Sequence, residues 1–447
     1  MKLVPAHVPV AGPSRAMKVP PSAEATLRTG LRVIAVRRPS VPRVELRLRV
    51  PAGKVHDRGD GARAMLLPET ILAGTADRSS VEIASELQRL GASLDAGSQA
   101  DAMIFSGACL AHNLTAFLDL LAHVIIEPAF PAHEVEVARD RVAQEILINT
   151  SAPGVILGIA DRKRMFGRHR YGRPLPKPDA VRRVGAAPIR AFHGAATLPR
   201  GSTLILVGDL QPAKAIERVE AALSGWRSRT KPQDVAQPGS SPSGLPILIV
   251  DRPGSVQTNM ILSGPAVPRN DPAYPALAVA NVALGGYFSS RLFRHVREEK
   301  GYTYGIRSSV EHRRGASTFH VTTSVATDVT APALHEVRYQ LGRMIALPLE
   351  PAELDAARRW LAGNTMLVVQ TQAGLASYLD MLVASGLGLD YLRDLATMLE
   401  RVTLEDARQA AARFCSPRAL TTTMVGDARA IAGRLEPFDP VEVRPDP

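Results

Sequence analysis

Leu284-Gly285-Gly286-Tyr287-Phe288-Ser289-Ser290-Arg291-Leu292, running on through Arg297-Glu298-Glu299-Lys300-Gly301-Tyr302-Thr303-Tyr304, is the stretch whose reading decides the fold. A Gly-Gly turn leads into a helix beginning near Ser289, Gly301 ends it, and a strand carrying Tyr304 follows. Arg297 sits at the end of that helix and Tyr304 lies beyond the Gly301 turn. The two side chains can therefore face one cleft although they belong to different elements.

Working outward, residues 231–246 are rich in Pro, Gly and Ser, the composition of a flexible or polyproline-like linker, and they lie near mid-chain. On either side the sequence repeats itself. Pro199-Arg200 followed by Val207-Gly208-Asp209 recurs as Pro417-Arg418 followed by Val425-Gly426-Asp427, 218 residues on (417 against 199). Pro51-Ala52 recurs as Pro265-Ala266, an offset of 214, and Leu72-x-Gly74 as Leu284-x-Gly286, an offset of 212. Three landmarks at nearly one offset predict two homologous halves: an arm over 1–22, a first domain over 23–230, the linker 231–246, a second domain over 247–435 and a tail over 436–447.

Within the first half, Leu27 to Val36 reads as a hairpin turn into a strand. Val44, Leu46, Leu48 and Val50 alternate with Glu45, Arg47 and Arg49, the period of a half-buried strand. Ser79-Ser80-Val81-Glu82 is a capping box for a helix that carries Ile83, Leu87 and Leu90 on one face and stops at Gly91. A strand over 102–110, a helix from Asn113 to Ile125 and a long helix from about His133 to Asn149 follow. Strands and helices alternate without a G-x-G-x-x-G fingerprint, which predicts α+β units rather than a dinucleotide-binding fold.

Of the 447 residues, 45% are hydrophobic and 22% charged, with only 4% aromatic, so Ala, Leu and Val must fill most of the core. The net charge of +11 is dispersed and contains no block of five basic residues, which argues against nucleic acid as a partner. Cys109 and Cys415 lie far apart with no C-x-x-C partner and read as buried free thiols. No apolar run reaches the ~18 residues of a membrane span. The N-terminus is broken by prolines before an export signal forms, so a cytoplasmic location is expected, or a periplasmic one if the true start includes such a signal.

The Gly-Gly turn, the helix ending R-E-x-K-G and the following Tyr resemble the C-terminal-domain signature of the insulinase/pitrilysin-like zinc peptidases, the inverted H-x-x-E-H family. The resemblance extends over roughly residues 24–435. It implies two α+β domains, each a mostly antiparallel sheet covered by helices, arranged as a clam-like pair around peptide. In that family two imidazoles one helical turn apart bind Zn²⁺, the Glu between them is the general base, and a later Glu is the third ligand. Anchored on Leu72-Ala73-Gly74-Thr75, the motif positions here read Met65-Leu66-Leu67-Pro68-Glu69. Neither imidazole remains, and proline stands where the base should be. The later Glu matches Glu145, which resembles a relic ligand without companions, and one carboxylate cannot hold catalytic zinc. His112, His123 and His133 are spaced too irregularly to share adjacent helical turns. His169-Arg170-Tyr171-Gly172 resembles the family's H-P-Y-G loop and is assigned a structural role.

By the same resemblance, Arg297 and Tyr304 correspond to a pair that grips substrate backbone and stabilises the tetrahedral intermediate. Guanidinium donors suit carbonyls, and a phenol can donate to a developing oxyanion. The expected function is therefore that of a metal-free subunit of a heterodimeric zinc peptidase, similar to the non-catalytic subunit of mitochondrial processing peptidase. Zinc is expected in an H-x-x-E-H partner, none in this chain, with Arg297 and Tyr304 completing the partner's site in trans. The alternatives are a scaffold without a role in hydrolysis, a standalone zinc peptidase, which the missing histidines disfavour, and a nucleic-acid binder.

Overall fold

The computed structural model describes residues 17–239 and 244–445. The first half contains strands β1 (Ser22–Thr26), β2 (Arg32–Arg37), β3 (Arg43–Val50), β4 (Ser93–Ser98), β5 (Met103–Leu110) and β6 (Thr203–Gly208). The second contains β7 (Ile247–Asp251), β8 (Gln257–Ala266), β9 (Thr303–Arg313), β10 (Ala316–Ala326), β11 (Thr421–Gly426) and β12 (Val441–Pro445). Two six-stranded sheets result, in the orders β1-β2-β6-β3-β5-β4 and β12-β7-β11-β8-β10-β9. In the first sheet only β2–β6 is parallel. In the second, β12–β7 and β7–β11 are parallel and the rest antiparallel. The two halves thus share one topology, except that the outer strand β1 comes from the start of its half and β12 from the end of the chain. The tail expected over 436–447 is accordingly no tail: Val441–Pro445 forms a sheet edge. The expected arm falls mostly in residues 1–16, outside the described residues, while Met17 is buried against Ile34 and Val36 and Ser22 already opens β1.

Helices α1 (Ala62–Thr70), α2 (Ser80–Arg89), α3 (Leu114–Ile126) and α4 (Ala132–Thr150) belong to the first half. The α2 capping box forms as its sequence predicts: the Glu82 backbone N–H donates to Ser79 Oγ, and Glu82 Oε2 accepts from the Ser79 backbone N–H at 2.7 Å. Apolar faces of α1, α3 and α4 pack on the alternate residues Val44, Leu46, Leu48 and Val50 of β3. The second core repeats this with Ile247, Ile249, Met260, Leu262 and Phe319 under its own helices.

The opposite face of each sheet is covered by a helix from the other half. Helix α5 (Pro153–Phe166) lays Ile156 and Leu157 on Val250, Ile261 and Val425 of the second sheet. The Gln372–Ala384 helix lays Leu375, Ala376, Leu379 and Leu382 on Ile34, Val36, Ile205 and Val207 of the first. The exchange is pinned by hydrogen bonds: Arg164 Nη1 donates to the Thr422 carbonyl at 2.7 Å, and Gln372 Nε2 to the Arg38 carbonyl at 2.6 Å. It also changes the expected character of β3. Glu45 is buried and Arg47 and Arg49 are half-buried, because the supposed solvent face of a half-buried strand is here an interface between halves. The central strands β6 and β11, covered on both faces, are buried at every residue.

Candidate substrate-binding site

The Tyr274–Asn281 helix continues as a π-helical turn over Val282–Gly286. A Cβ on Gly285 would lie 2.7 Å from Ser308 N and Oγ and 2.9 Å from Leu292 Cδ1, so only glycine lets this turn press against β9. The chain then extends through Tyr287 and re-enters a helix whose last turns, Phe293–Glu299, are again π-helical, a geometry frequent at functional sites. Gly301 closes that helix at φ +64°, its N–H donating to the Arg297 carbonyl at 3.1 Å, and β9 begins at Thr303.

Tyr304 therefore sits at the start of an edge strand, and it sits on a bulge. Thr323 pairs with Ile306 but Val325 pairs with Thr303, so β9 carries one extra residue between these points. Thr303 Oγ1 donates to the Ser324 carbonyl at 2.7 Å and accepts from the Gly305 N–H at 3.1 Å, while Thr323 Oγ1 donates to the Gly305 carbonyl at 3.0 Å. These threonines hold the distortion that turns Tyr304 outward, 90% exposed. The Arg297 guanidinium lies 5.3 Å from the Tyr304 ring centroid and 4.4 Å from that of Phe293, stacked between two aromatic rings. Phe293 in turn takes an edge-on contact from Phe288, itself 75% exposed. The structure thus brings Arg297 and Tyr304 together, as the spacing predicts. The aromatic supports and the threonine-held bulge were missed. Phe288 and Phe293 were legible only as apolar residues in the same signature.

The motif positions on the first half hold no metal site. Met65 and Glu69 stand one turn apart on α1, Met65 packed against the first core and Pro68 buried inside the helix, where it has no N–H for the Ala64 carbonyl. Glu69 is tied to Arg141 of α4, Nη2 to Oε2 at 2.5 Å. Glu145 follows one turn later on α4, exposed. A thioether, a proline and a carboxylate already engaged by a guanidinium do not fit zinc, and the Arg141 charge stands beside the place a cation would occupy. Among the described residues no group of three or more His, Cys, Asp and Glu could hold a metal ion.

The remaining candidates are structural. Tyr171 Oη donates to Asp101 Oδ1 at 2.6 Å and accepts from the Gly315 N–H at 3.1 Å, joining the 169–172 loop to the β9–β10 turn of the other half. His112 and His133 are exposed. Burial pushes the thiols of Cys109 and Cys415 up to about 12, and neither is paired. Among the described residues no single helix is long and apolar enough to cross a membrane.

Two family models match end to end: insulinase (peptidase family M16) over residues 32–179, and the peptidase M16 inactive domain over 184–361. An uncharacterized zinc protease of Streptomyces coelicolor is 25% identical over 415 residues, 90% of this chain and 88% of that protein. One from Mycobacterium bovis is 26% identical over 402 residues, 88% of this chain and 90% of that protein. Among solved structures, a peptidase M16 inactive domain from Pseudomonas fluorescens superposes with a TM-score of 0.84 at 24% identity, covering 91% of this chain and 98% of that one. A protease from Helicobacter pylori gives 0.83 at 18%, covering 92% and 100%. With two models of one family matched in order over residues 32–361, most of the chain, and the two-sheet architecture shared, the chain belongs to the insulinase-like M16 peptidase family.

Proposed function

We propose that this chain is the metal-free subunit of a two-chain zinc peptidase, binding peptide and completing the site of an H-x-x-E-H partner in trans through Arg297 and Tyr304. The observation that carries the reading is the state of that pair. Neither side chain makes a hydrogen bond or ion pair among the described residues, yet the two are held side by side on a bulge and a stacked aromatic support. Polar ends kept free on a built platform suit a ligand from outside the chain. Arg297 would hold a substrate carbonyl, and the Tyr304 hydroxyl would donate to the oxyanion that forms as the peptide bond is attacked. The occupied Glu69–Arg141 contact supports the division of labour, since the metal must then come with the companion.

In the heterodimer, Arg297→Ala or Tyr304→Phe is expected to lower kcat/KM by about 10²–10³, the effect of withdrawing one transition-state donor, with assembly and the partner's zinc content intact. Steady-state kinetics, size-exclusion chromatography and metal analysis on the same preparations check this. Unchanged kcat/KM in both variants would make the chain a scaffold.

A further inference from the structure

Between the two halves lies a second feature that the Arg297–Tyr304 pair does not use, a cavity of about 1330 Å³ lined by both sheets, the Gln372–Ala384 helix and the β9–β10 turn. Eight cationic side chains line it against four carboxylates. Arg49 is bound to Asp380, Arg47 lies against Glu45, Arg32 against Glu24 and Arg313 against Glu311. Arg200, Lys231, Arg269 and Arg314 form no ion pair among the described residues. On the acidic side, Asp101 accepts only from uncharged donors, Tyr171 Oη and the Arg314 backbone N–H, so two lining carboxylates without an ion pair among the described residues, Asp101 and Asp234, stand against these four cations.

Two further observations point the same way. The Arg313 side chain is only 6% exposed, and its Nη1 has no hydrogen-bond partner although Nη2 holds Glu311. Arg269 Nε and His312 Nε2, both on the cavity wall, are likewise buried and unpartnered. Burial first, and then the neighbouring Arg269 charge, hold His312 down at about 4, so the imidazole adds no positive charge to the wall. Outside the described residues, 1–16 and 240–243 contain no Asp or Glu, and 446–447 contain Asp446 alone.

We infer that this interdomain cavity binds an acidic peptide segment, its carboxylates spread over Arg200, Lys231, Arg269 and Arg314. The inference rests on the peptide-binding part of the function proposed above and names the substrate class. The cations come from four separate places: the loop before β6, the linker, the segment after β8 and the β9–β10 turn. That dispersion does not build a compact phosphate cradle, and the volume exceeds the roughly 300–1,000 Å³ of ordinary small-molecule sites. A chain with several spaced carboxylates matches both features.

The test uses the full isolated chain and the fluorescence anisotropy of a labelled octaglutamate peptide, with octalysine, tripolyphosphate and a short oligothymidylate in parallel. Octaglutamate is expected to bind in preference to all three, to weaken at least tenfold between low and high salt, and to weaken at least tenfold in Arg200→Glu/Arg314→Glu. Both substituted side chains are exposed at the rim, so circular dichroism and Tm are expected to match the parent, and Arg269→Gln supplies a second variant. Octalysine binding as tightly, oligothymidylate or tripolyphosphate binding without octaglutamate, or affinity unchanged in folded variants each overturns the inference. Because the zinc-bearing partner is absent from this assay, its failure leaves the Arg297 and Tyr304 kinetics standing. Acidic-peptide binding together with unaffected Arg297 and Tyr304 variants would overturn only trans completion.

Discussion

Positions 49 and 263 are equivalent in the two sheets, and positions 161 and 380 are equivalent in the two exchanged helices, yet the halves make this contact in opposite ways. On the first sheet, Asp380 takes Arg49 in a two-pronged pair, Nε and Nη2 each at 2.9 Å. On the second, Asp161 meets Ser263 and stands 3.9 Å from His320 Nδ1, with Oδ1 unpartnered and the residue only 2% exposed. One carboxylate is neutralised and the other is desolvated. Other positions have diverged too: the first half carries the Glu69–Arg141 ion pair on α1 and α4, and the second sets Arg297 beside Tyr304. The repeat preserves where side chains meet, while the chemistry at each meeting point has separated.

The largest expected effect tests whether Arg141 closes the first half to metal. Met65→His/Pro68→Glu/Glu69→His restores two imidazoles and a base, but the guanidinium remains beside them, and the triple variant is expected to bind no measurable zinc. Adding Arg141→Ala is expected to allow one zinc per chain, with Glu145 as third ligand, by calorimetric titration. Zinc binding of equal strength with and without Arg141 would show that its charge is no barrier.

Next in size is the contact on the first sheet. Arg49→Ala leaves Asp380 buried without its partner and is expected to cost about 3 kcal/mol in urea unfolding, the low end for breaking a buried pair. Arg49→Ala/Asp380→Ala is expected to recover part of this. A loss under about 1 kcal/mol would place the pair with solvated surface bridges.

The smallest effect should carry the opposite sign. Burial raises the folded-state pKa of Asp161, only partly offset by His320, so its ionisation costs stability as pH rises past the unfolded value of 3.8. Asp161→Asn is therefore expected to raise Tm near neutral pH by less than Arg49→Ala lowers it, and to leave Tm unchanged once the native carboxyl is protonated. Calorimetric scans across pH decide this. Equal Tm for both proteins near neutrality would mean that Ser263 and His320 compensate the buried charge in full.

The residue string alone determined the duplication, the two-domain α+β architecture and the loss of imidazoles at Met65 and Glu69, because offsets, apolar periods and side-chain chemistry are local properties. It also placed Arg297 and Tyr304 on one side of a turn, since Gly301 fixes how the helix hands over to the strand. The strand at Val441–Pro445 was hidden because none of its five residues is buried and its pairing partner β7 lies almost 200 residues earlier. The exchange of α5 and the Gln372–Ala384 helix was hidden for a related reason: an apolar helical face records that it will be buried, not against which sheet. Only the tertiary structure decided that Arg47 and Arg49 face a helix instead of water, that Arg141 of α4 pairs with Glu69 at the motif position, and that dispersed cations converge on one cavity. Each depends on contacts between residues distant in sequence, where geometry, rather than local propensity, sets which charges meet.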